Sequence, residues 1–194
     1  MTKKIEEIEK IVIKIAIQIA KTGEGALLVI GDNVNYGKLM NKSFEKLSVF
    51  DKGAEKILKG LAVIDGAVII NTKGQLVEYS ALIRRVKPYV GFGTRHSAAV
   101  TASKKGNISI LASEEDRKVK IFKDGKYIMQ VDALQKNVER KVSNMSEILE
   151  STGVGAIGAI GTAALVPALG ISLVPGIIIF GGSYYAIKTI LERF

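Results

Sequence analysis

The distribution of charge along the chain is the feature that most restricts how it can fold. Charged residues occur throughout residues 1–150, whereas residues 151–187 form a run of 37 without a single charge, with eight glycines and two prolines. About 20 apolar residues in helical form cross a bilayer core, and residues 165–187 supply 23. The sequence therefore predicts a folded domain over residues 1–150 and a hydrophobic, glycine-rich tail over residues 151–194.

The tail admits three arrangements. It could form one tilted membrane span, a re-entrant hairpin broken near Pro167 or Pro175, or an apolar segment packed on the domain or in an oligomer. We expect membrane attachment through residues 151–187, because an apolar run of this length is difficult to bury in a small domain.

The composition limits the chemistry. The formal charge is +9, of which +8 belongs to residues 1–150, and such an excess suits polyphosphates, nucleic acid or an anionic membrane. Cysteine is absent and there is one histidine, which excludes disulfides, a thiolate nucleophile and a histidine-rich metal site. A metal would then be a hard ion held by carboxylates and phosphates, such as Mg²⁺ or Mn²⁺. Nucleic acid is not an expected partner, because aromatic residues make up only 6% and show no interleaved stacking set.

Periodicity within the first 150 residues indicates strands interleaved with helices. Apolar residues three and four apart predict an amphipathic helix over residues 1–21, and glycine-bounded apolar runs such as "ALLVIG" predict buried strands. Residues 32–50 are polar and are expected to be irregular. Thr94 is expected to cap a helix over about residues 95–104, Asp124-Gly125 to turn a hairpin, and residues 132–150 to form a charged helix. We therefore expect the α/β class: a mixed central β-sheet flanked by helices, plus a C-terminal apolar helical segment.

The segment "GFGTRHSAA" has the properties of an anion site. Glycines permit close approach of a ligand, and a helix that begins at Thr94 offers free N–H groups and the positive end of its dipole. Arg95 adds a fork of donors, and His96 can donate a hydrogen bond to a phosphate. The alternative interpretation is a structural cap beside a surface histidine.

Two further segments carry polar groups at strand ends. "LAVIDGAVII" places Asp65 between apolar stretches, where a charge is costly without a partner, although a turn aspartate would look the same. "SILASEEDRK" ends a strand in Ser113 and Glu114, where binding sites often lie in such sheets. A solvated acidic loop is the alternative, above all for Glu115 and Asp116.

The ordered set of "DGA" (65–67), "GTRH" (93–96) and "SEE" (113–115) resembles the diadenylate cyclase (DAC) domain, with similarity from about residue 26 to residue 131. The resemblance implies an enzyme that condenses two ATP molecules into cyclic di-AMP and two pyrophosphates, with Mg²⁺ or Mn²⁺. Because the product joins two nucleotides symmetrically, it also implies a second copy of the chain, met face to face, for turnover.

The resemblance also implies roles for individual residues. Asp65 would bind metal and activate the ribose 3′-hydroxyl, Glu114 would contact metal and phosphate, and Leu82 would lie against adenine. The implied catalytic residues are Asp65, Arg95 and His96, and the implied ATP-binding residues are Gly66, Ala67, Leu82, Gly93, Thr94, Arg95, His96, Ser113 and Glu114.

Two positions depart from the pattern of many bacterial members: Ser97 stands where they have arginine, and Ile64 where they have histidine. Members of the archaeal branch commonly have a small residue at the first of these positions, so the chain resembles that branch. The main expectation is a cyclase tethered to the cell membrane, with its catalytic domain in the cytoplasm where ATP is found. The alternatives are a nucleotide-binding regulatory module with weak or no turnover, and a basic adaptor at the membrane surface.

Overall fold

The structure, a computed structural model, describes residues 2–40, 46–88, 93–142, 165–166 and 171–173. Within these residues, three α-helices and one 3-10 helix accompany nine strands. The helices are α1 (Thr2–Thr22), α2 (Ala54–Ala62), α3 (Thr94–Ala102) and the 3-10 helix Val138–Lys141. The strands are β1 (Ala26–Ile30), β2 (Tyr36–Lys38), β3 (Ala67–Ile70), β4 (Leu76–Ile83), β5 (Ile108–Ala112), β6 (Lys118–Lys123), β7 (Lys126–Asp132), β8 (Leu165–Val166) and β9 (Ile171–Leu173).

The strands form one mixed sheet in the order β2-β4-β3-β1-β5-β6-β7-β9-β8. The pair β1–β3 is parallel, and the other neighbours are antiparallel. The predicted mixed sheet flanked by helices is therefore confirmed, as is the hairpin of β6 and β7 around Asp124-Gly125.

Helices cover the two faces of the sheet unequally. On one face α1 and α2 pack over a large core that includes Leu28, Ile70 and Ile110, because alternate side chains of each strand point to that side. On the other face the short α3 packs through Ala99 over a smaller cluster that contains Leu111. The smaller cover leaves room for a cavity beside α3.

Three local predictions need correction. Residues 36–38, expected to be irregular, form β2 at the sheet edge. Thr94 is the first residue of α3 and not its cap; the capping position is Gly93, which has no side chain to accept a hydrogen bond. The charged helix expected from residue 132 does not start there, since Asp132 ends β7 and the 3-10 helix begins at Val138. Residues 143–150 lie outside the described residues.

Five residues of the hydrophobic tail are described, and they are extended. Residues 171–173 of β9 pair with residues 129–131 of β7, and β8 pairs with β9 in turn. The expectation of a helical segment starting at Leu165 is therefore wrong for these residues, because their backbone groups bond to the sheet edge. Within the described ranges, no helix combines the length and the apolar character required to cross a membrane. The rest of the predicted tail lies outside the described residues, and the division at residue 150 stays a prediction.

The turn that enters β3 requires glycine at position 66. Its φ is +102°, and a Cβ there would lie 2.6 Å from the backbone carbonyl carbon of Ser80. We expect Gly66→Ala to lower the free energy of unfolding by about 1–3 kcal/mol, measured by urea denaturation. The matched control is Gly60→Ala in α2, where a Cβ would meet no described atom within 4 Å. That change should raise stability by about 0.5–1 kcal/mol, and equal effects of the two substitutions would contradict the argument.

Candidate active site

A cavity of about 390 Å³ opens at the N-terminus of α3, on the face of the sheet that this helix covers. Its walls come from three places in the chain: the start of α3, the end of β5 with the loop after it, and β6. The lining residues are Gly93, Thr94, Arg95, His96, Leu111, Ala112, Ser113, Glu114, Glu115 and Lys120. Six of the ten residues implied to form a nucleotide site thus converge on one cavity, although up to 21 residues separate them in the chain.

The sheet register explains this convergence. Ala26 at the start of β1 pairs with Ala112 at the end of β5, so residues 25 and 113 lie at the same edge. The first turn of α3 lies beside that edge, and its backbone N–H groups have no partners within the helix. The cavity therefore combines a helix N-terminus with the carboxyl end of a strand, which suits the binding of an anion.

Arg95 lies across the start of β1 and reaches the opposite wall. Its Nη1 atom stands 3.5 Å from Oε2 of Glu114. A Cβ at Gly25 would overlap the guanidinium, so the missing side chain of Gly25 makes this position available to Arg95. Both partners of the ion pair are more than half exposed, so the pair contributes little to stability. Its loose geometry leaves both groups accessible to a ligand.

Lys120 is the buried cation of the cavity. Only 10% of its side chain is exposed, and its Nζ lies 2.9 Å from Oδ2 of Asp116 and 3.0 Å from Nε2 of His96. An ammonium group has donors only, so Nε2 of His96 must accept this hydrogen bond. The neutral His96 ring then carries its proton on Nδ1. The ring of Phe122 meets that of His96 edge to face, at 6.5 Å between centroids.

The same contacts shift the pKa values of this group. Burial, and then the charge of Lys120, hold the pKa of His96 below its ordinary value of 6.5. Burial by itself would raise the pKa of Asp116, but hydrogen bonds from Ser113 and Lys120 outweigh burial and lower it. At neutral pH the wall therefore presents a neutral His96 beside a cation that Asp116 partly neutralises.

The only histidine in the sequence makes this electrostatic description testable. An NMR pH titration should give one histidine signal with a pKa below 6.5, since burial and Lys120 both disfavour the charged ring. The unfolded chain then takes up its proton first as the pH falls. Stability from this group is complete above pH 6.5 and declines below it, down to the pKa of the folded state. A histidine pKa above 6.5 would contradict the assignment.

Asp65 lies at the same edge of the sheet but outside the cavity wall. Leu27 of β1 pairs with Ala67 of β3 in parallel register. Asp65 stands two residues before Ala67, and Gly25 stands two residues before Leu27, so the two positions lie side by side at this edge. Two strand spacings, roughly 10 Å, separate the backbones of β3 and β5. The side chain of Asp65 is exposed, its Oδ1 accepts from the N–H of Gly66 at 3.0 Å, and its carbonyl accepts from Oγ of Ser80 at 2.7 Å.

Three other implied residues are not brought to the cavity. Ala67 is buried in the cluster beneath α3, and Gly66 belongs to the turn before β3. Leu82 is 54% exposed. It alternates along β4 with Ala81 and Ile83, which point towards α3, so its side chain lies on the opposite side of the strand. Its contact with adenine stays a prediction.

Four lining residues were not predicted as site residues: Leu111, Ala112, Glu115 and Lys120. Lys120 is the one among them that supplies a buried cation. A signal was present in "KVKIFK": strand alternation puts Lys118, Lys120 and Phe122 on one face, and a phenylalanine there indicates that the face is covered. A lysine on a covered face requires partners. The identity of those partners, His96 and Asp116, depends on the fold.

The donors suit a divalent metal only in part. No group of three or more acidic or histidine side chains that could hold a metal occurs among the residues that the structure describes. Asp65 and Glu114 supply hard carboxylate oxygens at one edge of the sheet, which fits Mg²⁺ or Mn²⁺ if phosphate oxygens and water complete the coordination shell.

Comparison with known proteins gives the family. The model of the family described as "DisA bacterial checkpoint controller nucleotide-binding", abbreviated DAC, matches residues 14–127, which is more than half of the chain. The chain belongs to the DAC family. The matched DAC region runs from within α1 to the start of β7, and so contains every element that lines the cavity.

Two archaeal proteins named diadenylate cyclase are similar to this DAC chain. The one from Methanocaldococcus jannaschii is 32% identical over an alignment of 139 residues, which covers 63% of this chain and 45% of that protein. The one from Haloferax volcanii is 34% identical over an alignment of 143 residues, which covers 62% of this chain and 51% of that protein. The chain thus spans about half the length of these relatives. The crystal structure of a double mutant of DacA from Staphylococcus aureus shares the fold, with a TM-score of 0.50 and 19% identity over 77% of this chain and 97% of that one.

Proposed function

We propose that this chain is a diadenylate cyclase, which condenses two ATP molecules into cyclic di-AMP and two pyrophosphates. The observation that supports this most is the cavity itself: the start of α3, the end of β5 and the buried Lys120 surround a space suited to a triphosphate. Family membership and the names of the archaeal relatives point to the same activity.

The reaction forms a bond between a ribose 3′-oxygen and the α-phosphorus of a second nucleotide. The bond between the α-phosphorus and the bridging oxygen breaks, and pyrophosphate leaves. Arg95 and Lys120 would neutralise charge on the phosphate oxygens, since positioned cations stabilise such a transition state. The N–H groups at the start of α3 and Ser113 would hold the phosphates, and His96 would contact them as a neutral ring. Alignment of the two nucleotides supplies much of the rate enhancement.

Asp65 would accept the proton of the attacking 3′-hydroxyl. Its exposure and its position outside the cavity wall suit this role in a face-to-face pair, in which one copy holds the ATP that the facing copy's nucleotide attacks. Asp65 and Glu114 would hold Mg²⁺ or Mn²⁺, and the metal supplies charge neutralisation at the phosphates. The requirement for a second copy predicts that specific activity rises with protein concentration.

The deciding experiment is a product assay. Purified full-length chain is incubated with ATP and either Mg²⁺ or Mn²⁺, and the nucleotides are identified by mass. Cyclic di-AMP with either ion supports the proposal. If ATP binds but neither ion yields a cyclic dinucleotide, the chain is a nucleotide-binding regulatory module. Ser97 favours that second candidate: in place of an arginine that could contact phosphate, it is buried and donates to the Gly93 carbonyl at 3.2 Å.

We further propose that the uncharged tail attaches the domain to the cytoplasmic face of the cell membrane. The support is the absence of any charge from residue 151 to residue 187. In cell fractionation, Ile178→Lys/Phe180→Lys should move the chain from the membrane to the soluble fraction, because each lysine costs about 3 kcal/mol in a bilayer core. Ile178→Leu/Phe180→Leu is the matched control and should stay with membranes. A wild-type chain in the soluble fraction would refute the attachment.

A further inference from the structure

A second cavity, of about 220 Å³, lies at the C-terminal end of α3. We propose that it binds a small polyphosphate, at a site separate from the cavity at the N-terminus of α3, which we call the nucleotide cavity. The two cavities flank the same helix, whose nine residues place its ends roughly 13 Å apart. We call the second one the basic pocket, because its charged lining residues are Arg84, Arg85, Lys104 and Lys105.

Among the residues that the structure describes, no acidic one lines the basic pocket. None of its four cations forms a salt bridge with another residue that the structure describes. The nearby carboxylates are engaged elsewhere: Asp32 accepts two hydrogen bonds from Thr72, and Asp124 accepts one from the N–H of Gly106. A concave surface lined by charge of one sign concentrates counter-ions, and four cations at close quarters repel one another until an anion is bound.

Packing and hydrogen bonds hold several of the lining groups in place. The guanidinium of Arg84 lies against Gly37, where a Cβ would be 2.9 Å from Nε, and the backbone N–H of Arg84 donates to the Asn35 carbonyl. The stem of Lys104 similarly lies against Gly125. Asn107, 2% exposed, donates to the carbonyls of Asn33 and Ala102 and so ties the loop after β1 to the end of α3. These contacts restrain the cations before a ligand arrives, which lowers the entropy cost of binding.

The dipole of α3 explains the positions of only two of the four cations. Lys104 and Lys105 follow the C-terminus of α3, where cations interact favourably with the helix dipole. Arg84 and Arg85 come from the end of β4, which has no such dipole, yet they line the same pocket. Guanidinium groups fit phosphate oxygens with paired hydrogen bonds, which favours a phosphate-bearing ligand. The volume, little more than half that of the nucleotide cavity, favours inorganic di- or triphosphate, or the phosphate tail of a larger molecule.

The test uses inorganic tripolyphosphate and the full chain, without divalent metal, followed by calorimetry. All measurements are made in an Arg95→Gln background, which weakens binding at the nucleotide cavity. Arg84→Gln/Lys104→Gln should then reduce affinity by about tenfold or more, because two charge-assisted hydrogen bonds are lost. The matched control is Lys52→Gln/Lys56→Gln, which removes the same net charge from two exposed residues in and just before α2. It should leave affinity nearly unchanged.

Three results would overturn the proposal: no binding in the Arg95→Gln background, equal affinity with and without Arg84 and Lys104, or equal losses in both double variants. The last would show a general effect of net charge. ATP in the same background identifies the source of the phosphate. ATP binding that depends on Arg84 and Lys104 supports a nucleotide tail, and its absence beside tripolyphosphate binding supports an inorganic ligand. None of these measurements depends on turnover, so failure of the cyclase proposal would leave this one standing.

Discussion

Asp65→Asn should reduce cyclic di-AMP production by about a hundredfold or more, the range expected for loss of a general base. Asparagine has nearly the same shape and keeps an oxygen for the N–H of Gly66, but it cannot take up a proton and carries no charge for a metal. ATP binding should change much less, because Asp65 does not line the nucleotide cavity. Turnover is measured by mass of the product, and ATP affinity by calorimetry.

The control for this substitution is Asp32→Asn. Asp32 is also an exposed aspartate beside a strand, but it follows the C-terminal end of β1, and its carboxylate accepts hydrogen bonds from Thr72. It should retain wild-type turnover. If Asp65→Asn retained it as well, the assignment of the base would be wrong, whatever the fate of the nucleotide site.

Lys120→Met should weaken ATP binding by about tenfold to a hundredfold, since a hydrogen bond to a charged group contributes about 1.5–3 kcal/mol. Methionine has similar length and no charge, so the wall keeps its packing and loses its buried cation. One of the two causes that lower the pKa of His96 is also removed, and its NMR titration should move towards 6.5.

The titration separates an electrostatic role of Lys120 from a merely structural one. Lys120→Arg keeps the cation and should recover part of the ATP affinity. Lys126→Met, at the exposed start of β7, changes the net charge equally and should leave both readouts unchanged. An unaltered His96 titration in Lys120→Met, together with wild-type ATP affinity, would remove Lys120 from the proposed machinery.

A single helix, α3, connects the nucleotide cavity and the basic pocket. They flank opposite ends of α3, and the first turn of that helix lines the nucleotide cavity while its last residues line the basic pocket. A ligand in the basic pocket would therefore contact the same rigid element that carries Arg95 and His96. Once binding is measured, product assays with and without tripolyphosphate would test whether this contact changes turnover.

Local patterns in the sequence were sufficient for much of this protein. The amphipathic α1, the glycine-bounded strands and the Asp124-Gly125 hairpin follow from periodicity and turn chemistry, which act over a few neighbouring residues. Two of the three motifs, "GTRH" and "SEE", also identified six of the residues that line the cavity. Prediction failed where local signals were weak. The charged helix expected from residue 132 does not start there, because Asp132 ends β7. The strand β2 was not predicted, because its pairing with β4 involves residues more than 40 positions away.

Tertiary structure alone decided which groups meet. The register of β1 with β3 and β5 sets the distance between Asp65 and the cavity, and the space above Gly25 admits the guanidinium of Arg95. Lys120 comes within hydrogen-bond distance of His96, which is 24 residues away in the chain, only when the sheet is assembled. Such contacts depend on how distant segments pack together, and that packing is a property of the assembled sheet that no local stretch of sequence contains.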